Sequence, residues 1–299
     1  MRPQLGLVCI TQSKEVRYRM VTRKRLLELA PDGQRKLLDE IYRDNIQTFD
    51  KAVRYCERES ISLYRILSSI FPFADEDVGA KRCGRWAMRW PTPGVTRWNA
   101  ASAWSCIPIS SSSSVRTRQA SSPTASRSCR CHADIMDLLQ QPRSPWALLE
   151  IHGGKAGRAD ALVERIAALP DAIRLRLGLE NDEYAYSAAE IHDICLRSGV
   201  PMVFDAHHHI VHERLPSYDD PSVAEMLAKA RATWADPAQQ LVHISNGRDG
   251  FNDRQHADLI DVMPACYAKA PYIEIEAKFK EEAIRKLRGW QSGTAGTAA

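Results

Sequence analysis

A chain of 299 residues, 44% hydrophobic and 26% charged, can bury a sizeable single core and is too apolar to stay disordered. Its 41 basic and 37 acidic residues leave a net charge of +4, too mild to argue for a nucleic-acid partner by itself. No apolar run approaches the roughly 20 residues of a membrane span and the N-terminus has no apolar leader, so a cytoplasmic protein without membrane contact is expected.

Residues 5–10 form a short apolar run that predicts a first strand. Behind it Lys14, Arg17, Arg19, Arg23, Lys24 and Arg25 cluster with only Glu15 against them. Such a loop either lies on phosphates or is simply solvated. Residues 34–57 read as a long amphipathic helix and 62–67 as a second strand. Further strands are predicted at 146–151, 173–179, 201–204, 240–242 and 272–275, interleaved with helices at 159–169, 188–198, 223–235 and 255–269. This βαβα alternation implies parallel strands with crossover helices. One strand is missing between residues 67 and 147. If it is hidden there, the chain is an α/β TIM (β/α)8 barrel, one domain over 1–299 with a flexible tail at 290–299. Cys9, Cys56, Cys195 and Cys266 lie inside elements and read as reduced core residues.

The missing strand falls in an anomalous segment. From Val78 to Ala133 there is no Asp or Glu, while Trp86, Trp90, Trp98, Trp104, Cys83, Cys106, Cys129, Cys131 and a serine run at 110–114 crowd together. Neither helix nor strand periodicity survives, and poor order is expected over residues 81–131. A basic Ser-rich insertion or a linker suits the middle of a compact barrel badly. The genetic code offers another reading. Read from the third base of each codon, Gly84 to Thr92 can give an apolar-periodic helix. Trp104 through the serine run can give an apolar strand ending in His-Pro-Asp-Gln-Phe. A local frameshift, opening near Lys81 and closing near His132, would hide the third strand and its histidine.

Each later strand run ends in a residue type that binds metals: His152, Glu180, Asp205, His243 and Glu276. In TIM barrels the active site lies at those strand ends. The blocks Leu5-Gly6-Leu7 with Cys9, Tyr64-Arg65-Ile66 with Phe71-Pro72-Phe73, and Glu150-Ile151-His152-Gly153-Gly154 carry a resemblance. So do Leu179-Glu180-Asn181-Asp182-Glu183, Asp205 with His208-His209, Val242-His243, and Ile275-Glu276-Ala277-Lys278. Together these make the chain resemble the UV damage endonucleases, whose barrel is related to those of AP endonuclease IV and xylose isomerase.

The resemblance implies a trinuclear metal phosphodiesterase, commonly loaded with Mn2+ (Zn2+ or Mg2+ being alternatives), that nicks double-stranded DNA immediately 5′ to pyrimidine dimers and 6-4 photoproducts. By that likeness Glu180 bridges two metals, sharing one with His152 and the other with Asp205, His243 and Glu276, while His208 and His256 hold the third. Glu180, His152 and Asp205 carry the catalysis. Arg17, Arg19, Arg23, Lys24 and Lys278 contact DNA, and a monomer is expected. Carboxylate and imidazole ligands suit such metals, and clustered ions can activate water and stabilise an in-line phosphate transition state. Taken alone, each residue also reads as a satisfied polar group or a helix cap. His207 and His209 read as packing residues, and Asn181, Asp182 and Glu183 as partners that orient ligands.

The chain departs from the family pattern in several places. The His-Pro-x-Gln-aromatic motif after the third strand supplies a ligand and a wedge that probes the damaged pair. Here that stretch reads Cys106-Ile107-Pro108-Ile109-Ser110-Ser111. Ser69, Leu7 and Leu241 stand where some relatives have His, Tyr and a modified Lys. Activity of this chain as written is therefore in question. An AP endonuclease or sugar isomerase of the same barrel group, and an inactive scaffold that binds damaged DNA, stay open as alternatives.

Overall fold

The computed structural model describes residues 2–79, 103–106 and 123–291. Eight strands pair in parallel in chain order: β1 (Gln4–Val8), β2 (Leu63–Ile66), β3 (Ala103–Cys106), β4 (Ala147–His152), β5 (Leu177–Glu180), β6 (Met202–Asp205), β7 (Leu241–Ile244) and β8 (Tyr272–Ile275). β8 pairs back onto β1, from Gln4 opposite Tyr272 to Leu7 opposite Ile275, and closes the barrel. The expected TIM barrel is the fold found. No helix among the described residues is long and apolar enough to cross a membrane.

The crossover helices form where apolar side chains recur at helical spacing. Pro31–Arg58 buries Leu38, Ile41, Tyr42, Ile46, Phe49 and Val53 on one stripe against the sheet. Its Pro31 sits where a helix start leaves an N–H without an intrahelical partner, so a residue lacking that N–H costs nothing there. Ala188–Ser198 matches its predicted span. Ser187 and Glu190 cap its start reciprocally, and Gly199 at φ 70° ends it.

Inward-facing residues alternate along every strand and stack in tiers. Leu63, Leu148, Val203 and Leu241 pack with Trp234 at the N-terminal end of the barrel as a buried apolar floor. Two residues further along the same strands come Arg65, Glu150, Asp205 and His243, joined by Glu274 from β8, and all five are buried. The next step up holds His152, Glu180 and Glu276. A charged tier thus lies between the apolar floor and the mouth.

Three expectations need correction. The window from 78 to 133, read as having no surviving periodicity, contains β3 and the helix Pro123–Leu138. The β3 backbone pairs with β2 and β4, Trp104 opposite both Tyr64 and Ala147, and ladder hydrogen bonds need no particular side-chain period. The rest of the anomalous segment, residues 80–102 and 107–122, lies outside the described residues, as do 292–299 of the expected tail; the helix Lys280–Gln291 precedes them. The predicted strand at 173–179 is in fact a helical turn, Asp171–Arg174, followed by β5, because Pro170 and Asp171 start a turn that buries Ile173. The predicted helix at 255–269 is a loop ending in a short 3-10 turn, Ala265–Lys269. There Asn246 Oδ1 accepts the Asp261 and Val262 N–H groups, and the N–H of Ala257 donates to the Asn246 carbonyl, so the backbone bonds that a helix needs are already taken. Cys9, Cys56 and Cys195 are buried free thiols as expected, while Cys266 is half-buried.

Candidate metal centre

The strand ends aim their last inward residues at one point above the charged tier. His152 ends β4, and a Cβ on the following Gly153 would lie 2.5 Å from the Tyr186 ring, so only glycine lets that ring pack there. Tyr186 in turn donates its hydroxyl to the Lys155 carbonyl at 2.8 Å and fixes the loop behind His152. Asp205 ends β6 and caps the helix Ala206–Glu213, accepting the His208 N–H at 2.9 Å. That cap places His208 in the first turn, over the mouth. Asn181 ties β5 to β6 through two bonds with the Asp205 backbone, at 2.9 and 3.0 Å. It also accepts His208 Nδ1–H on its carbonyl at 2.9 Å.

Glu180 is the hub. One carboxylate oxygen lies 3.3 Å from His152 Nε2; the other lies 2.9 Å from His243 Nδ1 and 3.5 Å from His208 Nδ1. Two triads of donor atoms with metal-ligand spacing share it: His152, Glu180 and His208, and Glu180, Asp205 and His243, each within 4.8 Å of one another. Glu276 joins from β8, one oxygen 3.5 Å from His243 Nδ1 and the other 3.8 Å from His256 Nε2. A third triad, Glu150, His243 and Glu274, lies one tier deeper.

The site is densely charged for its burial. Burial raises the Glu180 carboxyl well above the usual carboxylate range, with Glu150 adding to the rise and His243 opposing it. Burial also opposes ionisation of Glu150 and Glu276, but His243 and Arg65 outweigh it, holding Glu150 down to about 2 and Glu276 well below its ordinary value. His208 is pushed up to about 10: burial opposes its charge, but Asp205, Glu183 and Glu180 surround it. His152 is lowered by burial and by its neighbour His208. Carboxylates stacked this closely need compensating positive charge, part of which Arg65 supplies. Asp205 Oδ2 and His152 Nδ1, on one residue of each shared triad, are buried polar atoms with no hydrogen-bond partner among the described residues. Oxygen and imidazole-nitrogen donors in overlapping triads fit divalent ions, so these clusters could hold metal.

Five of the seven expected ligands, His152, Glu180, Asp205, His208 and His243, fall into the two shared triads. Glu276 borders them. Among the described residues His208 falls in the triad with His152 and Glu180, and His256 Nε2 lies 3.8 Å from Glu276, which both histidines influence; no triad joins His208 to His256 directly. His207 is a packing residue, between the Tyr218 hydroxyl at 2.6 Å and the Asp253 carbonyl at 2.8 Å. Asp182 accepts loop N–H groups, and Glu183 faces His208 at 3.7 Å. Sequence reasoning missed Arg65, Glu150 and Glu274 as members of the site. The signal was available: Glu150 and Glu274 stand two residues before His152 and Glu276, on the same strand face.

The expected DNA contacts lie on the mouth side. Arg17 and Lys24 are exposed, Arg19 pairs with Asp44, and Arg23 pairs with Glu76 while its guanidinium lies 5.6 Å from the Phe73 ring centre. Lys278 projects 3.6 Å from Asp258. The loops after β1 and β2 are thereby joined into one rim.

Fold and site together define a TIM barrel with a candidate metal centre at the C-terminal mouth of its strands. Solved structures share that fold: SacUVDE has a TM-score of 0.63 at 19% identity, covering 97% of this chain and 99% of its own, and endonuclease IV from Thermus thermophilus has 0.50 at 13%, covering 97% and 100%. The UV-endonuclease UvdE family matches residues 3–292. A UV DNA damage endonuclease of Deinococcus radiodurans is 47% identical over 294 residues, 96% of this chain and 95% of that protein. One of Nostoc sp. is 46% identical over 298 residues, 97% and 90% respectively. The chain belongs to the UV DNA damage endonuclease family and carries that family's DNA-cleaving fold.

Proposed function

We propose that the chain is built to nick double-stranded DNA immediately 5′ to cyclobutane pyrimidine dimers and 6-4 photoproducts by metal-dependent phosphodiester hydrolysis. The observation that carries this is Glu180, whose two oxygens face different donor groups, His152 on one side and His243 with His208 on the other. A carboxylate so placed suits a bridge between ions. His152 would share one with it; Asp205, His243 and Glu276 would share the other; His208 and His256 would serve a third. Manganese fits this mixed oxygen and nitrogen set, as do zinc and magnesium. Bound ions would supply Lewis-acid activation of water and charge neutralisation at the scissile phosphate.

The protein's own groups do the rest. Arg17, Arg19, Arg23, Lys24 and Lys278 line the rim where a phosphate backbone would lie, and such contacts position DNA without reading its sequence. The Asp205 cap and Asn181 hold the β5 and β6 ends in register, so Glu180 and Asp205 keep their separation as substrate binds. We propose a single-domain monomer working in the cytoplasm.

The test is nicking of UV-irradiated, abasic and undamaged duplexes, each with Mn2+ and with chelator, alongside a ketose substrate. Manganese-dependent incision confined to irradiated duplex supports the reading. Preference for abasic DNA or turnover of the sugar would replace it with one of the other barrel activities. Tight binding of damaged duplex without incision would mark an inactive scaffold, an outcome favoured by the missing His-Pro-x-Gln-aromatic motif at Cys106–Ser111 in this reading frame.

A further inference from the structure

Across the mouth from the basic loop, Arg254 lies over Tyr184, its guanidinium carbon 3.8 Å from the ring centre. Both side chains face solvent, and Tyr184 is 58% exposed, unusual for so large a ring. Arg23 and Arg58 also lie over rings, those of Phe73 and Tyr55, but each has a carboxylate as well, Glu76 for the first and Glu15 for the second. Among the described residues no carboxylate or carbonyl takes the Arg254 N–H groups. The carboxylates next to the pair in sequence are turned elsewhere. Asp253 accepts the Asp249 and Gln255 N–H groups, each at 3.0 Å, and Glu183 faces His208 at 3.7 Å. A guanidinium stays protonated in proteins, so the charge is permanent.

Both halves stand on fixed supports. Asp182 Oδ1 accepts the Tyr184 N–H at 2.7 Å. The loop that carries Arg254 is closed at its neck, where Gly247 pairs with His256 and the Arg248 N–H donates to the Gln255 carbonyl at 2.8 Å. His207 Nε2, 2.8 Å from the Asp253 carbonyl, and the Phe251 ring, packed edgewise on Tyr218, fasten that loop to the barrel. In the closed strand order β5 lies opposite β1 and β6 opposite β2. Tyr184 follows β5 and Arg254 follows β7, so the pair brackets β6 and faces the basic loop after β1 from the far side.

We infer that Arg254, oriented by Tyr184, is a substrate-binding residue that takes a DNA phosphate on the side of the mouth opposite the basic loop, so that a duplex is held from both sides over the strand ends. The inference rests on the reading of the chain as one that acts on DNA. A guanidinium laid on a ring keeps its N–H groups in its own plane, directed past the ring edge. A planar fork fixed in this way matches two oxygens of one phosphate and loses little freedom in binding them. Tyr184 is a positioning residue: it sets the plane of the fork.

Binding of a labelled undamaged duplex to the full chain with Mn2+ present, titrated over a range of salt, tests this. Arg254→Ala should weaken binding about tenfold, as expected for hydrogen bonds to a charged group, and lower the slope of log affinity against log salt by about 1. Arg254→Lys keeps the charge without the fork, and should keep the slope while losing affinity. Tyr184→Ala should weaken binding about two- to fivefold, and Tyr184→Phe should match the parent. Adding Tyr184→Ala to Arg254→Ala should cost nothing more, because the ring acts only through the guanidinium. A parent chain that binds duplex and an unchanged slope in Arg254→Ala would overturn the inference and leave the DNA reading standing. A Tyr184→Ala loss that persists without Arg254 would overturn the positioning role and give the ring to a base instead. A parent chain that binds no duplex overturns the DNA reading and this inference with it.

Discussion

Glu180 and His243 meet at 2.9 Å across the barrel, from strands that are not adjacent, with both side chains almost fully buried. A carboxylate and an imidazole from β5 and β7 converge there because each is the last or next-to-last inward residue of its strand. Their meeting point sets the chemistry of the mouth.

Removing that carboxylate should therefore cost both metal groups at once. Glu180→Gln is expected to lower Mn2+ affinity at two positions and to cut any incision of irradiated DNA by at least about 100-fold, comparable to losing a principal transition-state stabiliser. Metal titration by calorimetry checks the first part. His256→Ala, whose ring lies 3.8 Å from Glu276 and outside both shared triads, should retain ions in the two shared groups; full metal loss in that variant would contradict the grouping.

If the gene carries a frameshift over residues 81–131, correcting it should matter more than any point change. The sequence as written is expected to show little incision of UV-irradiated duplex, because a damage probe must fill the space left when unstacked bases leave the helix. A frame-corrected gene should give a protein that incises it with Mn2+. Equal activity of the two proteins contradicts this, and resequencing without an indel pair removes its premise.

Arg176 predicts a loss far from the mouth. Fully buried, it donates to the carbonyls of Pro142, Gln141 and Ala172 and pairs with Asp137 at 2.8 Å, fastening the end of the helix Pro123–Leu138 to the turn before β5. Arg176→Met should destabilise the fold by about 2–4 kcal/mol, since it leaves buried carbonyls without a donor, while the part-exposed Asp137 keeps Arg143. Urea denaturation measures it.

Asp137 gives that fastening a pH dependence. Hydrogen bonds from Arg143, outweighing burial and reinforced by Arg176, lower its carboxyl below the ordinary aspartate value. A depressed carboxyl contributes stability that is fully present above the unfolded value of about 4 and is lost as pH falls through the folded one. The parent chain should lose more stability than Asp137→Asn on acidification below about pH 4, with the gap closing as the carboxylate protonates. Parallel acid-denaturation curves would count against it.

The basic rim makes a salt prediction. Arg17→Ala should weaken binding to duplex DNA similarly for all sequences and lower the slope of log affinity against log salt by about 1 if Arg17 neutralises one phosphate. An unchanged slope would place Arg17 off the DNA.

The strand-end residues that the barrel brings together were legible in the sequence because each ends an apolar run, and a charge or imidazole at such a place has few structural uses. The tier beneath was not. Arg65, Glu150 and Glu274 lie inside runs that read as apolar, and their partners are on other strands, so only the closed barrel brings them together. The loop before β8 misled for another reason. Leu259, Ile260, Met263, Cys266 and Tyr267 recur at helical spacing, but Asn246 had already claimed the backbone N–H groups and Pro264 interrupts the run. The third strand was hidden because its residues carry no pattern; its neighbours' backbones hold it.

The apolar floor of Leu63, Leu148, Val203, Leu241 and Trp234 closes the described barrel beneath the candidate centre. Ions held at Glu180 would then arrive and depart through the mouth that a duplex would cover. A bound duplex would thus act as a stopper, and metal exchange should slow once DNA is in place, tying the retention of the ions to the residence time of the substrate.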